Sequence, residues 1–435
     1  MRTDDEVERL VAADVTGPVG GSKKSARWLA AVLATLVMLV GLKYLKHFPY
    51  VDTDSSHYQA MANGKIEMKP FAFRVLDPAI ARSFSDITGK STDVGFLGAG
   101  LVSGWLLLYG VLSPVLERTQ GTWLALVLVL MPFWLRNFSN YFLPDPLHAV
   151  LVMVYLVLLR RRWWGWASIL LAFMFLARES TLLVAAIAVP MLWWLVSRRA
   201  ALMQLGGSLV GMTASKFAAR HALANQQNIN DTLYMIGKIP WNLSRNVFGV
   251  TLWTNTMPLF QPIRVWNVPR WMHTGGIHQM GYSAFDSIYP LATSVRVLTS
   301  FGLGVCAVIC LVWRTPLRRL LPREEPYLCI AAIYGATTFL LAPTLGASLS
   351  RLCDYGWPLF LVYLPAVIPR VWSNWPVWTV VTLVGLHLIT AWIEGIQFWI
   401  IHFNTVACVA ILIGINLVAG SLILRTCSRS QQSAI

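Results

Sequence analysis

Two acids stand two residues apart in the stretch YVDTDSSHYQAMANGK, residues 50–65, directly after an apolar segment. Asp52 and Asp54 are either the start of a small helix or carboxylates with a proton to move. Asp54 before Ser-Ser-His-Tyr, with Gly64 beyond the far end, brackets a short helix. That gives Asp54 a structural role that Asp52 lacks. Asp77 before Pro78 is a strong cap signal for a second helix, and Asp145 between Pro144 and Pro146 is placed to cap another. Charge pairs of either meaning follow: Arg178 beside Glu179, and Arg351 with Asp354 at i, i+3 spacing. Arg74 and Arg296 are the other cations near the same elements.

These residues need a scaffold, and composition says which kind. The chain of 435 residues is 56% hydrophobic and 13% charged, against about 25% charged in soluble domains. Its mean hydropathy is +0.58. That is a chain dissolved in lipid. The net charge of +15 is scattered between apolar runs and forms no basic domain, so nucleic acid is not an implied partner. It reads as orientation and lipid headgroup contact. Tryptophans such as Trp163, Trp164, Trp193, Trp194, Trp372 and Trp375 fall at the ends of apolar runs, the interfacial belt position. The six cysteines lie in or beside those runs and imply no disulfide framework. The 27 mostly polar residues before the first apolar run do not resemble a cleavable signal peptide.

The hydrophobic pattern predicts about twelve spans between residues 28 and 424, beginning near Trp28, Gly95, Trp123, Leu147, Trp164, Thr181, Ala201, Leu291, Tyr327, Leu352, Val377 and Thr405. Residues 1–27 and 425–435 are expected to be cytoplasmic tails. Pro132 and Pro190 should kink their spans, and Gly207 with Gly211 permits close helix packing. The inner short loops would hold Arg118, Arg160, Arg161, Arg162, Arg198, Arg199, Arg314, Arg318, Arg319, Arg323 and Arg370. The outer ones hold Arg136, Arg178 and Arg351. That bias puts both termini inside and both long connections, about 43–93 and 221–290, outside. The fold class is thus an all-α integral membrane bundle with two ordered outer caps carrying interfacial helices. Span five has about 14 residues before Arg178, roughly 21 Å of helix. Arg178 and Glu179 should therefore lie below the outer surface, where ionisable groups pair or line a cavity.

The loop DSSHYQAMANG…PFAFRVLDP after a first span resembles the GT-C superfamily of membrane glycosyltransferases. The resemblance is to bacterial members with an acid-x-x-x-Tyr segment followed by a Pro-aromatic…Arg…Pro segment. YFLPDPLHAV, FLARESTLL and SRLCDYGWPLF fit the same picture. Many relatives carry adjacent acids, whereas Thr53 separates Asp52 from Asp54 here. The resemblance implies an inverting enzyme of the bacterial inner membrane. It would move a sugar from a polyprenyl-phosphate-linked donor to a glycan, lipid or protein acceptor at the outer face. In that scheme Asp54 is the base and Asp52 its helper. Tyr58, Arg74, Asp145, Arg178, Glu179 and Arg351 bind substrate. An attacking hydroxyl must lose its proton to a carboxylate, and the departing phosphate needs cations.

No cofactor is implied. A divalent cation remains an option, but the histidines His57, His221, His273, His278 and His402 show no recognised metal spacing. Asn137, Asn230 and Asn242 begin glycosylation sequons on the expected outer side. A transporter or flippase is the first alternative, yet no repeated half with matching broken helices is evident. A polysaccharide polymerase or ligase using lipid-linked glycans is the second. The acids directly after span one favour the glycosyltransferase.

Overall fold

The computed structural model describes residues 23–47, 54–65, 67, 71–117, 121–220, 231–256, 261–273, 276–316, 320–346, 349–371, 375–399 and 405–432. Asp52, the tail 1–22, Arg118, Arg318, Arg319, His221, Asn230, Trp372 and His402 lie outside the described residues.

The chain is mostly helical. Every expected span start falls within a helix, because long apolar runs have to satisfy their own backbone groups. Four helices are long and apolar enough to cross a membrane, or six if each of two bent pairs counts as one span. The four are α1 (Lys23–His47), α4 (Thr92–Leu116), α14 (Pro326–Leu345) and α18 (Thr405–Gln432). The last continues to Gln432, into the stretch expected to be a tail. One bent pair is α5 (Gly121–Val129) and α6 (Phe133–Ser139), which turn by 42° at the break containing Pro132. The other is α12 (Ile288–Thr299) and α13 (Gly304–Arg314), bent by 76°. At that bend Gly302 has φ +55°, and a Cβ there would stand 2.4 Å from the His387 ring. Only glycine fits.

Three shorter elements build the centre: α7 (Asp145–Arg160), α8 (Trp164–Ala177) and α9 (Thr181–Leu195). They are followed by α10 (Arg198–Arg220), whose Gly207 and Gly211 lie against α8. A Cβ on Gly207 would meet the Ser168 carbonyl oxygen at 2.3 Å, so the small-residue pair sets this close approach. The main core runs through these helices, with Tyr155, Leu171, Met174 and Leu192 fully or almost fully buried.

The first long connection forms α2 (Ser55–Ala62), a 3-10 turn at Phe71–Phe73 and α3 (Leu76–Thr88). Tyr58, Ala62 and Phe71 pack with Phe96, Phe142 and Leu143 in a satellite core that fastens this cap to the bundle. The second connection differs from the all-helical expectation. It begins with α11 (Asp231–Asn246) and then forms a three-stranded antiparallel sheet. Strand β3 (Gln279–Phe285) lies between β1 (Val250–Thr254) and β2 (Arg264–Asn267). Trp253 and Trp266 lie on these strands rather than on interfacial helices, so alternation and not a 3.6 period places them.

Candidate active site

The break between α8 and α9 organises the site. Arg178 leaves the helix in extended conformation (φ −163°, ψ 140°), and Ser180 opens the next helix. The Thr181 hydroxyl donates to the Met174 carbonyl at 2.9 Å and closes the last turn of α8. The Thr181 oxygen therefore accepts from His148 Nε2, 3.2 Å away. This tight reversal presents Arg178 and Glu179 side by side to the first cap and to the start of α7.

Asp145 is the centre of one cluster. It was expected to cap α7, but Pro144 holds the cap position and Asp145 makes no capping bond. Its carboxylate is 4% exposed and is shared by two guanidiniums, from Arg178 and from Arg351, whose Nε lies at 2.5 Å. The Tyr355 hydroxyl also donates to it, and the Arg178 guanidinium lies over the Tyr355 ring at 4.3 Å. A carboxylate held this way is a structural keystone with no capacity left to act as a base.

Asp54 is held far more lightly. It occupies the cap position of α2, as expected, yet its side chain makes no cap bond. Instead its Oδ2 faces Arg351 Nη1 at 3.3 Å, and the side chain is 35% exposed. Arg351 thus bridges the lightly held acid and the saturated one. The i, i+3 spacing of Arg351 and Asp354 offered a local pair, whereas the described carboxylate partners of Arg351 are Asp145 and Asp54. Asp354 takes Arg136 in a two-pronged bond of 3.0 and 2.7 Å, and Arg136 also donates to the Ser300 carbonyl at 3.1 Å. The reason is geometric: α15 (Leu349–Asp354) is six residues long, and its two charged side chains diverge toward different neighbours.

Glu179 pairs with Arg74 rather than with Arg178. Arg74 Nε donates to Glu179 Oε2 at 2.7 Å, a second nitrogen donates to Oε1, and Nη1 donates to the Tyr58 hydroxyl at 2.6 Å. Burial raises the Tyr58 pKa, against the pull of the Arg74 charge, so the phenol stays protonated. This chain ties α2 and the turn after Phe73 to the α8–α9 break. The site residues read from the sequence, apart from Asp52, therefore converge.

Two further groups escaped the sequence reading. Asn137, Asn140, Asp145, His148, Arg351 and Asp354 line a polar chamber with room for about one water. Lys238 on α11 reaches the same region from the second cap, near Asp54, Arg74, Glu179 and Arg178. It forms no ion pair among the described residues. Protein crowding and the charge of Arg74 lower its pKa, although the side chain still reaches open space. A lone lysine on an amphipathic helix carries no sequence signal. At the end of that helix Asn246 anchors it, donating to the Pro343 and Gly346 carbonyls at 2.8 and 3.1 Å.

Asp77 departs from expectation as well. Val75 holds the cap position of α3, while Asp77 sits in the first turn, 2% exposed, with its Oδ2 unpartnered among the described residues. Burial pushes its carboxyl well above the ordinary range. Among the described residues no group of three His, Cys, Asp or Glu side chains is placed to hold a metal. In comparisons with known proteins, no family model, no curated protein and no solved structure matches the chain.

Proposed function

We propose that this protein is an inverting glycosyltransferase. It moves a sugar from a polyprenyl-phosphate-linked donor to a hydroxyl acceptor at the outer face of the membrane, with twelve helical segments in the membrane-embedded body. The observation that carries the reading is the unequal treatment of the acids. Asp145 is enclosed by two arginines and a tyrosine, and Glu179 is clasped by Arg74. Glu179 is 43% exposed but has both carboxylate oxygens taken by Arg74, whereas Asp54, 35% exposed, faces the Arg351 guanidinium through Oδ2 at 3.3 Å. A general base needs that access together with a fixed position.

The cations have a corresponding task. Arg74, Arg178 and Arg351 each face a carboxylate, so their charges largely hold the acids in place. Lys238 forms no ion pair among the described residues. It adds a positive charge at the mouth of the site, where the anionic sugar phosphodiester would lie. As the glycosidic bond breaks, a second negative charge develops on the leaving phosphate. Lys238 then meets that charge, while Arg351, in contact with Asp54, orients the base. The Asp54 carboxylate meanwhile takes the acceptor proton on the opposite face of the sugar, which inverts the anomeric centre.

The test is direct. Purified protein in liposomes should consume a member of a panel of short-chain polyprenyl-phosphate sugars in the presence of envelope glycan extract. The product linkage, read by NMR, should be inverted relative to the donor. A panel that is neither bound nor consumed, under conditions where the protein is folded, would overturn the reading.

A further inference from the structure

The end of the molecule opposite the acid–arginine cluster carries a second concentration of charge. Helix α7 runs from Asp145 to Arg160, 16 residues, or about 24 Å of helix. Arg160, Arg161 and Arg162 follow one another there, all exposed, and none pairs with a carboxylate among the described residues. Arg160 lies over the Tyr327 ring at 5.8 Å and Arg161 over the Trp163 ring at 5.2 Å. Glu325 accepts a hydrogen bond from the Tyr327 hydroxyl at 3.2 Å. Arg162 has φ +59°, a left-handed turn that reverses the chain directly into α8.

The beginning of α10 adjoins this turn, since Gln204 Nε2 donates to the Trp164 carbonyl at 2.9 Å. It brings Arg198, over the Trp193 ring at 5.3 Å, and Arg199. Neither connection contains an acid between residues 153 and 170 or between 190 and 206. Beside the cations is an open apolar cleft formed by Trp163, Trp164, Gly165, Trp166 and Ile169. Trp166 and Ile169 are 65% and 50% exposed.

We infer that this end binds an anionic phospholipid, with the phosphate among Arg160, Arg161, Arg162 and the start of α10, and an acyl chain in the tryptophan cleft. Unpaired cations next to an apolar cleft complement an amphiphile, and basic pockets between membrane helices recognise acidic headgroups. A free phosphate would satisfy the arginines but leave the cleft uncovered. The inference is independent of the glycosyltransferase reading, because it uses no residue of that site.

The experiment is native mass spectrometry of the full chain released from micelles containing dioleoylphosphatidylglycerol or dioleoylphosphatidylcholine. The wild type should retain the glycerol lipid in clear preference to the choline lipid. Each arginine near an acidic headgroup is worth about five-fold in binding, so R161Q/R162Q should lose roughly 25-fold. R162Q alone, at an exposed side chain with no carboxylate partner among the described residues, should lose about five-fold and guards against misfolding of the double variant. Trp166→Ala should weaken lipid retention as well. Equal retention of the two lipids, or unchanged retention in R162Q and the double variant, would overturn the inference. So would complete displacement by inorganic phosphate combined with an unchanged Trp166→Ala, which would identify a bare anion site.

Discussion

Replacing Asp54 by Asn separates the two roles that a single carboxylate at a helix start can have. Asn is as good at the cap position as Asp, and the Asp54 side chain makes no cap bond in any case. The change weakens the contact of 3.3 Å to Arg351 made by a side chain that is 35% exposed. An ion pair of that exposure is worth about 0–1 kcal/mol, so the variant should melt within a few degrees of wild type. Loss of a general base costs on the order of 10²–10⁴ in rate, equivalent to about 3–5 kcal/mol of barrier. Asp145→Asn supplies the contrast. It leaves Arg178, Arg351 and the Tyr355 hydroxyl around a neutral amide in a site 4% exposed. Breaking such a buried arrangement costs about 3–5 kcal/mol of stability, and it should show as lost expression or a much lower melting temperature. The assay measures free polyprenyl phosphate released per mole of folded protein, alongside thermal unfolding of the same sample. An Asp54→Asn protein that folds and transfers at the native rate refutes the assignment and passes the base to Asp52. One that unfolds as readily as Asp145→Asn makes Asp54 a structural acid.

Two more outcomes follow from the same geometry. Lys238→Gln should raise the donor KM about ten-fold or more, the worth of a charge-assisted contact, with little change in kcat. Because the ammonium is the binding form and its pKa is lowered, wild-type donor affinity should fall as pH rises through that lowered value. Lys238→Arg should hold its affinity past about pH 10, and a pH profile identical in all three proteins would remove Lys238 from the site. Asp77, with a folded-state pKa raised by burial, favours the folded chain most below its unfolded value of about 3.9. That stability is lost as pH rises through the folded pKa. Asp77→Asn should therefore be more stable than wild type at neutral and alkaline pH, and equal melting temperatures at pH 8 would show the carboxyl to be solvated.

The sequence by itself determined where the helices are. Apolar runs, the break at Pro132, the 14 residues of α8 and the short helix between Asp54 and Gly64 all appear where spacing and composition put them. These are short-range matters, fixed by period, caps and breakers within a few turns. Tertiary structure decided which charge meets which. Arg351 finds Asp145 across 206 positions and Asp54 across 297, Arg74 finds Glu179 across 105, and Arg136 takes Asp354 across 218. Local rules had offered Arg178 to Glu179 and Arg351 to Asp354, and had made caps of Asp77 and Asp145. A buried charge is too costly to leave to its nearest neighbour in sequence. It pairs with whichever opposite charge the packed helix ends deliver. Close contacts such as Gly207 on Ser168 fix where those ends lie. The sheet of the second cap was hidden for a related reason. Its strands are four to seven residues long, and strands that short are held by pairing across the sheet more than by local preference.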